Sequence, residues 1–104
     1  MKSILFDHIE EVKKMCKTYQ VKSLYVFGSV CTEAFTERSD IDFLLVFEPD
    51  ISVKEYTDNY FTLLYNLQEI FGRKVDLITN RSLSNPYFIQ SIEKTKEIVY
   101  ESGN

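Results

Sequence analysis

The sequence predicts an α/β or α+β fold in which a small β-sheet is covered by helices. Helical and strand patterns alternate along the chain, in the order helix, strand, helix, strand, helix, strand, helix, strand. Apolar residues make up 44% of the 104 residues, enough to bury one modest core, and no linker or repeat divides the chain. We therefore expect a single domain over residues 1–104.

Residues 3–19 are predicted to form the first helix. Acidic residues come early in this segment and lysines come late, the order that suits the helix dipole. His8, the only histidine, falls beside the apolar stripe, which indicates a surface or boundary residue and not a metal ligand. The stripe recurs at three- and four-residue steps and comprises Leu5, Ile9, Val12, Cys16 and Tyr19.

The first two strands flank a short polar stretch. Residues 21–27 are rich in β-branched and aromatic side chains, which favours a strand, and Gly28 then permits a tight turn. Residues 30–35 are predicted to form a short helix, and residues 36–39 a loop that leads into the second strand. The apolar run of that strand is Ile41, Phe43, Leu44, Leu45, Val46 and Phe47, and Pro49 ends it.

The third helix is the longest one predicted. Ser52 and Glu55 have the spacing of a capping box, and Gly72 is a natural helix stop. Tyr56 and Tyr60 could form a base-stacking platform, but they belong to the apolar stripe, so core packing explains them better. The stripe consists of Val53, Tyr56, Tyr60, Leu63, Leu64, Leu67 and Phe71.

The last three elements are shorter. Residues 74–79 form the third predicted strand, which Asp76 interrupts between two apolar neighbours. Asn85 followed by Pro86 is typical of a helix start, and we expect that helix to run to about residue 94. Residues 97–101 alternate in polarity and are predicted to form an edge strand.

Two acids at the start of the second strand are the first candidates for chemistry. Strands disfavour Asp, and a carboxylate removed from water costs several kcal/mol unless it is paired or binds a metal. Because side chains alternate along a strand, Asp40 and Asp42 should point the same way, where they repel unless a cation lies between them or one is protonated. Hard divalent cations such as Mg²⁺ prefer such oxygen ligands. The simpler alternative is that Asp40 is a turn residue and Asp42 lies on a solvated face.

Gly28 and Ser29 strengthen the functional interpretation. A strand that ends in Gly-Ser and runs into a helix start leaves amides and a hydroxyl that can bind phosphate oxygens. A phosphate cradle beside a metal-binding acid pair is typical of a nucleoside triphosphate site. Asp76 adds a second strand with an acid that we expect to be buried, which supports a functional role for all three acids.

Composition limits the remaining possibilities. The chain has 16 acidic and 12 basic residues, a net charge of −4, which argues against a protein that holds a long nucleic acid by charge. Acids interrupt the apolar residues near the start, so we predict no signal peptide or membrane span and a cytoplasmic protein. Cys16 and Cys31 lack metal-like spacing and are expected to be free thiols.

Taken in order, these motifs resemble those of the DNA polymerase-beta-like nucleotidyltransferase superfamily, and within it the minimal nucleotidyltransferases. Gly28-Ser29, ten intervening residues, the Asp40-Ile41-Asp42 motif and the later Asp76 match that signature. The resemblance implies a mixed sheet with the acid strand between the other two. It also implies that Asp40 and Asp42 hold two Mg²⁺ ions, and that Asp76 completes the shell of one ion and accepts the acceptor's proton. The Gly28 amide and the Ser29 hydroxyl would hold the phosphates of ATP.

Minimal nucleotidyltransferases of this size resemble the antitoxin of two-gene modules whose toxin is a HEPN-domain ribonuclease. The resemblance implies transfer of AMP from ATP to a toxin tyrosine, and hence a HEPN partner. Two alternatives stay open. One is a small-molecule or RNA-end nucleotidyltransferase with a separate substrate-binding subunit, and the other is a non-catalytic antitoxin that only binds the toxin. Arg38 could contact phosphate, although a solvated loop arginine is the simpler interpretation.

Overall fold

The computed structural model describes residues 3–103 and shows a mixed α/β fold, as the sequence predicts. The strands are β1 (Val21–Phe27), β2 (Ile41–Phe47), β3 (Val75–Thr79) and β4 (Glu97–Glu101). The helices are α1 (Ser3–Phe6), α2 (Ile9–Thr18), α3 (Val53–Phe71) and α4 (Pro86–Thr95). Short 3₁₀ turns follow β1 and β3, at Gly28–Cys31 and Asn80–Ser82.

The four strands form one mixed sheet in the order β3-β2-β1-β4. Strand β1 is antiparallel to both β2 and β4, whereas β2 and β3 are parallel. The acid strand β2 therefore lies between β1 and β3, as the resemblance implied, and β4 is an edge strand, as predicted. Strand β3 forms the opposite edge.

The two faces of the sheet are covered differently. Alternate residues of β2, among them Ile41, Phe43 and Leu45, join the larger apolar cluster with α2 and α3. Leu44 belongs to a smaller cluster that includes Ile92 of α4. Because side chains alternate along a strand, Asp42 lies on the α4 face together with Leu44.

The first predicted helix is divided into two, which corrects the expectation of one helix over residues 3–19. Helix α1 ends at Phe6, and His8 has non-helical dihedral angles (φ −124°, ψ 13°) before α2 begins. The His8 amide bonds the carbonyl three residues earlier, at 3.1 Å, so the chain tightens there without shifting the apolar stripe. Periodicity alone could not reveal this break. His8 itself is half-buried at the boundary, as predicted, with its ring edge against Phe71.

The predicted helix over residues 30–35 is also absent. Within the described chain, this segment contains only the end of the 3₁₀ turn Gly28–Cys31, followed by turns. The Thr32 hydroxyl donates to the Ser29 carbonyl at 3.0 Å and accepts the Ala34 amide at 3.1 Å. These local side-chain bonds replace the bonds that a longer helix would need.

The remaining elements agree with the sequence predictions. Helix α3 begins with the Ser52–Glu55 capping box and ends at Gly72, whose φ is +62°. Asn85 caps α4 through its side chain. Tyr56 and Tyr60 are half-buried against the core, and Cys16 and Cys31 do not form a disulfide bond, as expected. No helix among the described residues is long and apolar enough to span a membrane.

Candidate active site

The fold brings two of the three predicted acids together. Asp42 is the second residue of β2 and Asp76 is the second residue of β3, and the two are direct partners in the parallel register. Their carboxyl groups lie side by side on the α4 face, close enough to share a proton. Asp40 lies just before β2 and is close enough to affect Asp42 through its charge.

The pKa of Asp42 is raised from its ordinary 3.8 to about 6. Burial is the largest cause, followed by the negative charge of Asp76, the hydrogen bond shared with Asp76, and the charge of Asp40. All four causes act in the same direction, against a second negative charge at this point. The site therefore favours either a proton or a cation between the carboxylates.

The exposure of the acids differs from the expectation of buried carboxylates. Asp42 is half-buried, but Asp76 is exposed because β3 is an edge strand with no neighbour on its outer side. Asp40 is also half-buried, and its carboxylate lies 3.8 Å from the exposed Lys74 ammonium. The prediction of a buried acid at position 76 was wrong. The prediction that the strands bring the acids together was correct for Asp42 and Asp76, whereas Asp40 lies before β2 and does not converge with them into one group of three.

Gly28 forms the wall of the site opposite Asp42. Its φ of +76° lies in the left-handed region, and a Cβ atom at this position would lie 2.5 Å from Asp42 Oδ2. A side chain at this position would have to displace the Asp42 carboxylate and adopt a strained backbone conformation, so both features favour glycine. The Gly-Ser turn and the acid strand are thus in direct contact.

The Gly28 amide has a partner that the sequence did not suggest. It donates to the Thr95 hydroxyl at 2.8 Å, across 67 positions of sequence, and so ties the turn to the end of α4. This differs from the expectation that the Gly28 amide binds phosphate, because its hydrogen is already directed at Thr95. Ser29 is half-buried in the 3₁₀ turn that follows.

Arg73 is a second residue that sequence reasoning missed. Its guanidinium donates to the carbonyls of Thr36 at 3.1 Å and Ser39 at 3.0 Å, and it lies 4.7 Å from the centre of the Phe35 ring. These contacts hold the loop that delivers Asp40. Arg38, in the same loop, is exposed, as expected. The position of Arg73, next to a helix stop, gives no sequence signal of this role.

The carboxylates of Asp42 and Asp76 supply some, but not all, of the oxygen ligands that a hard divalent cation needs. Within residues 3–103, no three acidic, histidine or cysteine groups already converge closely enough to hold one metal ion. The Asp42 and Asp76 carboxylates nevertheless stand side by side and repel each other. Mg²⁺ commonly uses one or two carboxylates and takes its other oxygens from water and substrate phosphates. The pair fits that pattern.

Comparisons with known proteins define the class. Residues 10–104 match the family described as "Polymerase beta, Nucleotidyltransferase", so the chain belongs to this nucleotidyltransferase family. It is also similar to two proteins of Methanocaldococcus jannaschii named "Putative protein adenylyltransferase". One is 40% identical over 96% of this chain and 93% of its own length, and the other is 41% identical over the same shares.

Solved structures share the fold. A chain in the crystal structure of a toxin–antitoxin with AMP-PNP aligns with a TM-score of 0.69 at 19% identity, covering 90% of this chain and 73% of that one. A chain in the structure of a tri-AMPylated Shewanella oneidensis HEPN toxin in complex with MNT antitoxin aligns with a TM-score of 0.64 at 17% identity, covering 93% and 72%. At these identities the likeness concerns the fold alone.

Proposed function

We propose that this protein transfers AMP from ATP to a tyrosine hydroxyl of a partner protein, a HEPN ribonuclease toxin, and so acts as its antitoxin. The observation that carries the proposal is the contact of three parts: the Gly28 turn, the half-buried Asp42 and the adjacent Asp76. The names of the relatives and the toxin–antitoxin structures support the protein acceptor.

The proposed roles of the acids follow from their positions. Asp40 and Asp42 would hold two Mg²⁺ ions and Asp76 would complete the shell of one of them, once Asp40 turns from Lys74. Such ions supply positive charge that stabilises the entering and leaving oxygens of an in-line displacement. Without cations, the same carboxylates only repel each other and the phosphates, which makes transfer depend on Mg²⁺.

The phosphate-binding part is the turn after β1. The Ser29 hydroxyl and the amides that follow Gly28 would hold the β- and γ-phosphates of ATP, because a glycine turn lets a phosphate approach the backbone closely. Gly28 contributes mainly by its missing side chain, which leaves room for the Asp42 carboxylate. The Thr95 bond fixes the course of this turn.

The transfer step needs few groups. The acceptor oxygen attacks the α-phosphorus, an O–P bond forms, and the bond from the α-phosphorus to the bridging oxygen breaks. Pyrophosphate leaves with that electron pair, and the proton of the acceptor passes to the exposed carboxylate of Asp76. Most of the rate enhancement comes from positioning and charge stabilisation. An AMP group attached beside the cationic RNA-binding groove of the toxin would block RNA binding through its negative charge and its bulk.

Persistence of the inhibition tests this proposal. The purified toxin partner is incubated with this protein, ATP and Mg²⁺, separated from it, and assayed for ribonuclease activity. We expect the toxin to stay inactive after separation, because the modification is covalent. The Asp40→Asn/Asp42→Asn variant keeps the shape but loses the metal-binding charges, so toxin treated with it should recover. Equal inhibition by the variant, lost on separation, would make this protein a binding antitoxin.

A further inference from the structure

A cavity of about 330 Å³ opens along the outer edge of β3. It is mainly apolar, and none of the three candidate carboxylates lines it. Its walls come from α3, from β3 and from the 3₁₀ turn after β3. The lining residues are Tyr56, Thr57, Tyr60, Phe61, Leu77, Ile78, Thr79 and Ser82.

The cavity lies mainly on the α3 face of the sheet, and it meets the α4 face, which carries Asp42 and Asp76, at the outer edge of β3. Leu77 and Ile78 follow Asp76 on β3, and Ile78 shares the sheet face of Asp76. The sheet order β3-β2-β1 therefore gives a line that runs from the Gly28 turn at the end of β1, past Asp42, to Asp76 and then to the cavity. With neighbouring strands about 4.8 Å apart, this line crosses about 10 Å from β1 to β3.

The direction of that line indicates whether the acceptor or the base of ATP binds in the cavity. If the β- and γ-phosphates lie at the Gly28 turn, pyrophosphate leaves toward β1. In an in-line displacement the attacking oxygen approaches from the opposite side. That side is the outer edge of β3, where Asp76 is exposed and the cavity begins. The geometry therefore favours the acceptor over the base of ATP as its occupant.

The walls fit an aromatic guest. The Tyr60 ring is held by its hydroxyl, which donates to the Leu77 carbonyl at 2.6 Å, and Phe61 packs edge-on against it at 5.2 Å between ring centres. Tyr56 lies under the Arg81 guanidinium at 4.8 Å. Phe61 is nevertheless 47% exposed. Aromatic rings prefer edge-to-face and offset-stacked neighbours of this kind.

We propose that this cavity binds the aromatic ring of the acceptor tyrosine and thereby selects phenolic over aliphatic hydroxyls. The inference rests on the proposed function for the identity of the reaction, and it adds the surface that receives the acceptor. The partner then needs to insert one tyrosine at the outer edge of β3, with its ring against α3 and its hydroxyl reaching around that edge to Asp76.

The experiment uses N-acetyltyrosinamide as the probe and fills the cavity by substitution. Thr57 is exposed and lines the cavity, so Thr57→Trp should occupy it without disturbing the core. Thr62→Trp is the matched control, because Thr62 lies on the same helix outside the cavity. Each threonine hydroxyl bonds the carbonyl four residues earlier, so both variants lose the same kind of bond.

Binding is measured by amide chemical shifts during titration with the probe, and transfer by formation of its AMP adduct with ATP and Mg²⁺. We expect shifts at Tyr60, Phe61 and Thr79 in the wild type, and at least a tenfold loss of kcat/KM in Thr57→Trp but not in Thr62→Trp. N-acetylserinamide should neither shift these amides nor react. Both variants should keep the thermal stabilisation by ATP and Mg²⁺.

Different failures have different meanings. Absence of shifts at these amides in the wild type would overturn the cavity proposal even if the toxin is modified, and so would wild-type transfer by Thr57→Trp. Loss of ATP stabilisation in Thr57→Trp alone would assign the cavity to the base and overturn the proposal as well. Probe binding in the cavity without any AMP transfer, to probe or to toxin, would support the aromatic site and contradict the proposed function.

Discussion

The contact between Gly28 and Asp42 gives the sharpest perturbation of the site. Gly28→Ala places a Cβ atom 2.5 Å from Asp42 Oδ2, and ordinary contact begins near 3.4 Å, so the carboxylate must move by about 0.9 Å. A displacement of about 1 Å in a catalytic group costs on the order of a hundredfold in rate. We therefore expect Gly28→Ala to reduce AMP transfer about a hundredfold.

Gly72→Ala separates this effect from backbone strain. Gly72 also has positive φ, +62°, but a Cβ atom there meets nothing within 4 Å. Both substitutions should lower the free energy of unfolding by about 1–2 kcal/mol, the cost of the left-handed conformation for an L-residue. Only Gly28→Ala should lose transfer.

The two variants are compared by chemical denaturation and by the rate of AMP transfer at saturating ATP and Mg²⁺. The denaturation curves show whether both are folded under the assay conditions. If Gly28→Ala transferred AMP within about threefold of Gly72→Ala, the reasoning from the Asp42 contact would be refuted.

Two further predictions concern Asp42 and Thr95. Because the pKa of Asp42 is raised from 3.8 to about 6, the folded state favours the protonated carboxyl, and stability from this group is full below pH 3.8 and lost as the pH rises past 6. The full shift would be worth about 3 kcal/mol, and partial exposure reduces this to about 1 kcal/mol. Without divalent cations, Asp42→Asn should thus be more stable than the wild type at pH 7.5, and an equal or lower denaturation midpoint there would contradict the repulsion argument. Thr95→Val should lower the free energy of unfolding by about 1–3 kcal/mol, because it leaves the part-buried Gly28 amide without an acceptor. It should also raise the KM for ATP. Thr95→Ser keeps the hydroxyl, so its stability and its KM for ATP should stay near wild type. Matching kinetics of Thr95→Val and Thr95→Ser would show that the bond does not position the turn.

Local signals in the sequence predicted most of the fold. The apolar run of β2 fixed it as a core strand despite Asp42, and the Ser52–Glu55 box and Gly72 set the bounds of α3. These features depend only on neighbouring residues. The break at His8 was not predictable, because one tightened bond leaves the apolar stripe unchanged.

The acids of the site could be predicted from the sequence, but the hydrogen bonds that position the turn and the loop around them could not. Alternation along β2 and the implied strand order were enough to bring Asp42 and Asp76 together. Asp76 is exposed because β4 pairs with β1 and leaves β3 at the edge of the sheet. Nothing in the sequence after Asp76 indicates which strand β4 pairs with. The bonds from Thr95 to Gly28 and from Arg73 to the Asp40 loop join residues 67 and more than 30 positions apart, so only the folded chain reveals them.

The central claim is that the Asp42–Asp76 site transfers AMP and not phosphate to a partner protein. It is tested most directly by incubating the toxin partner and Mg²⁺ with ATP labelled on either the α- or the γ-phosphate. We predict that the α-label becomes covalently attached to a toxin tyrosine, that the γ-label is released in pyrophosphate, and that Asp42→Asn attaches neither. Attachment of the γ-label, or of no label by the wild type while the toxin is still inhibited, would contradict the account.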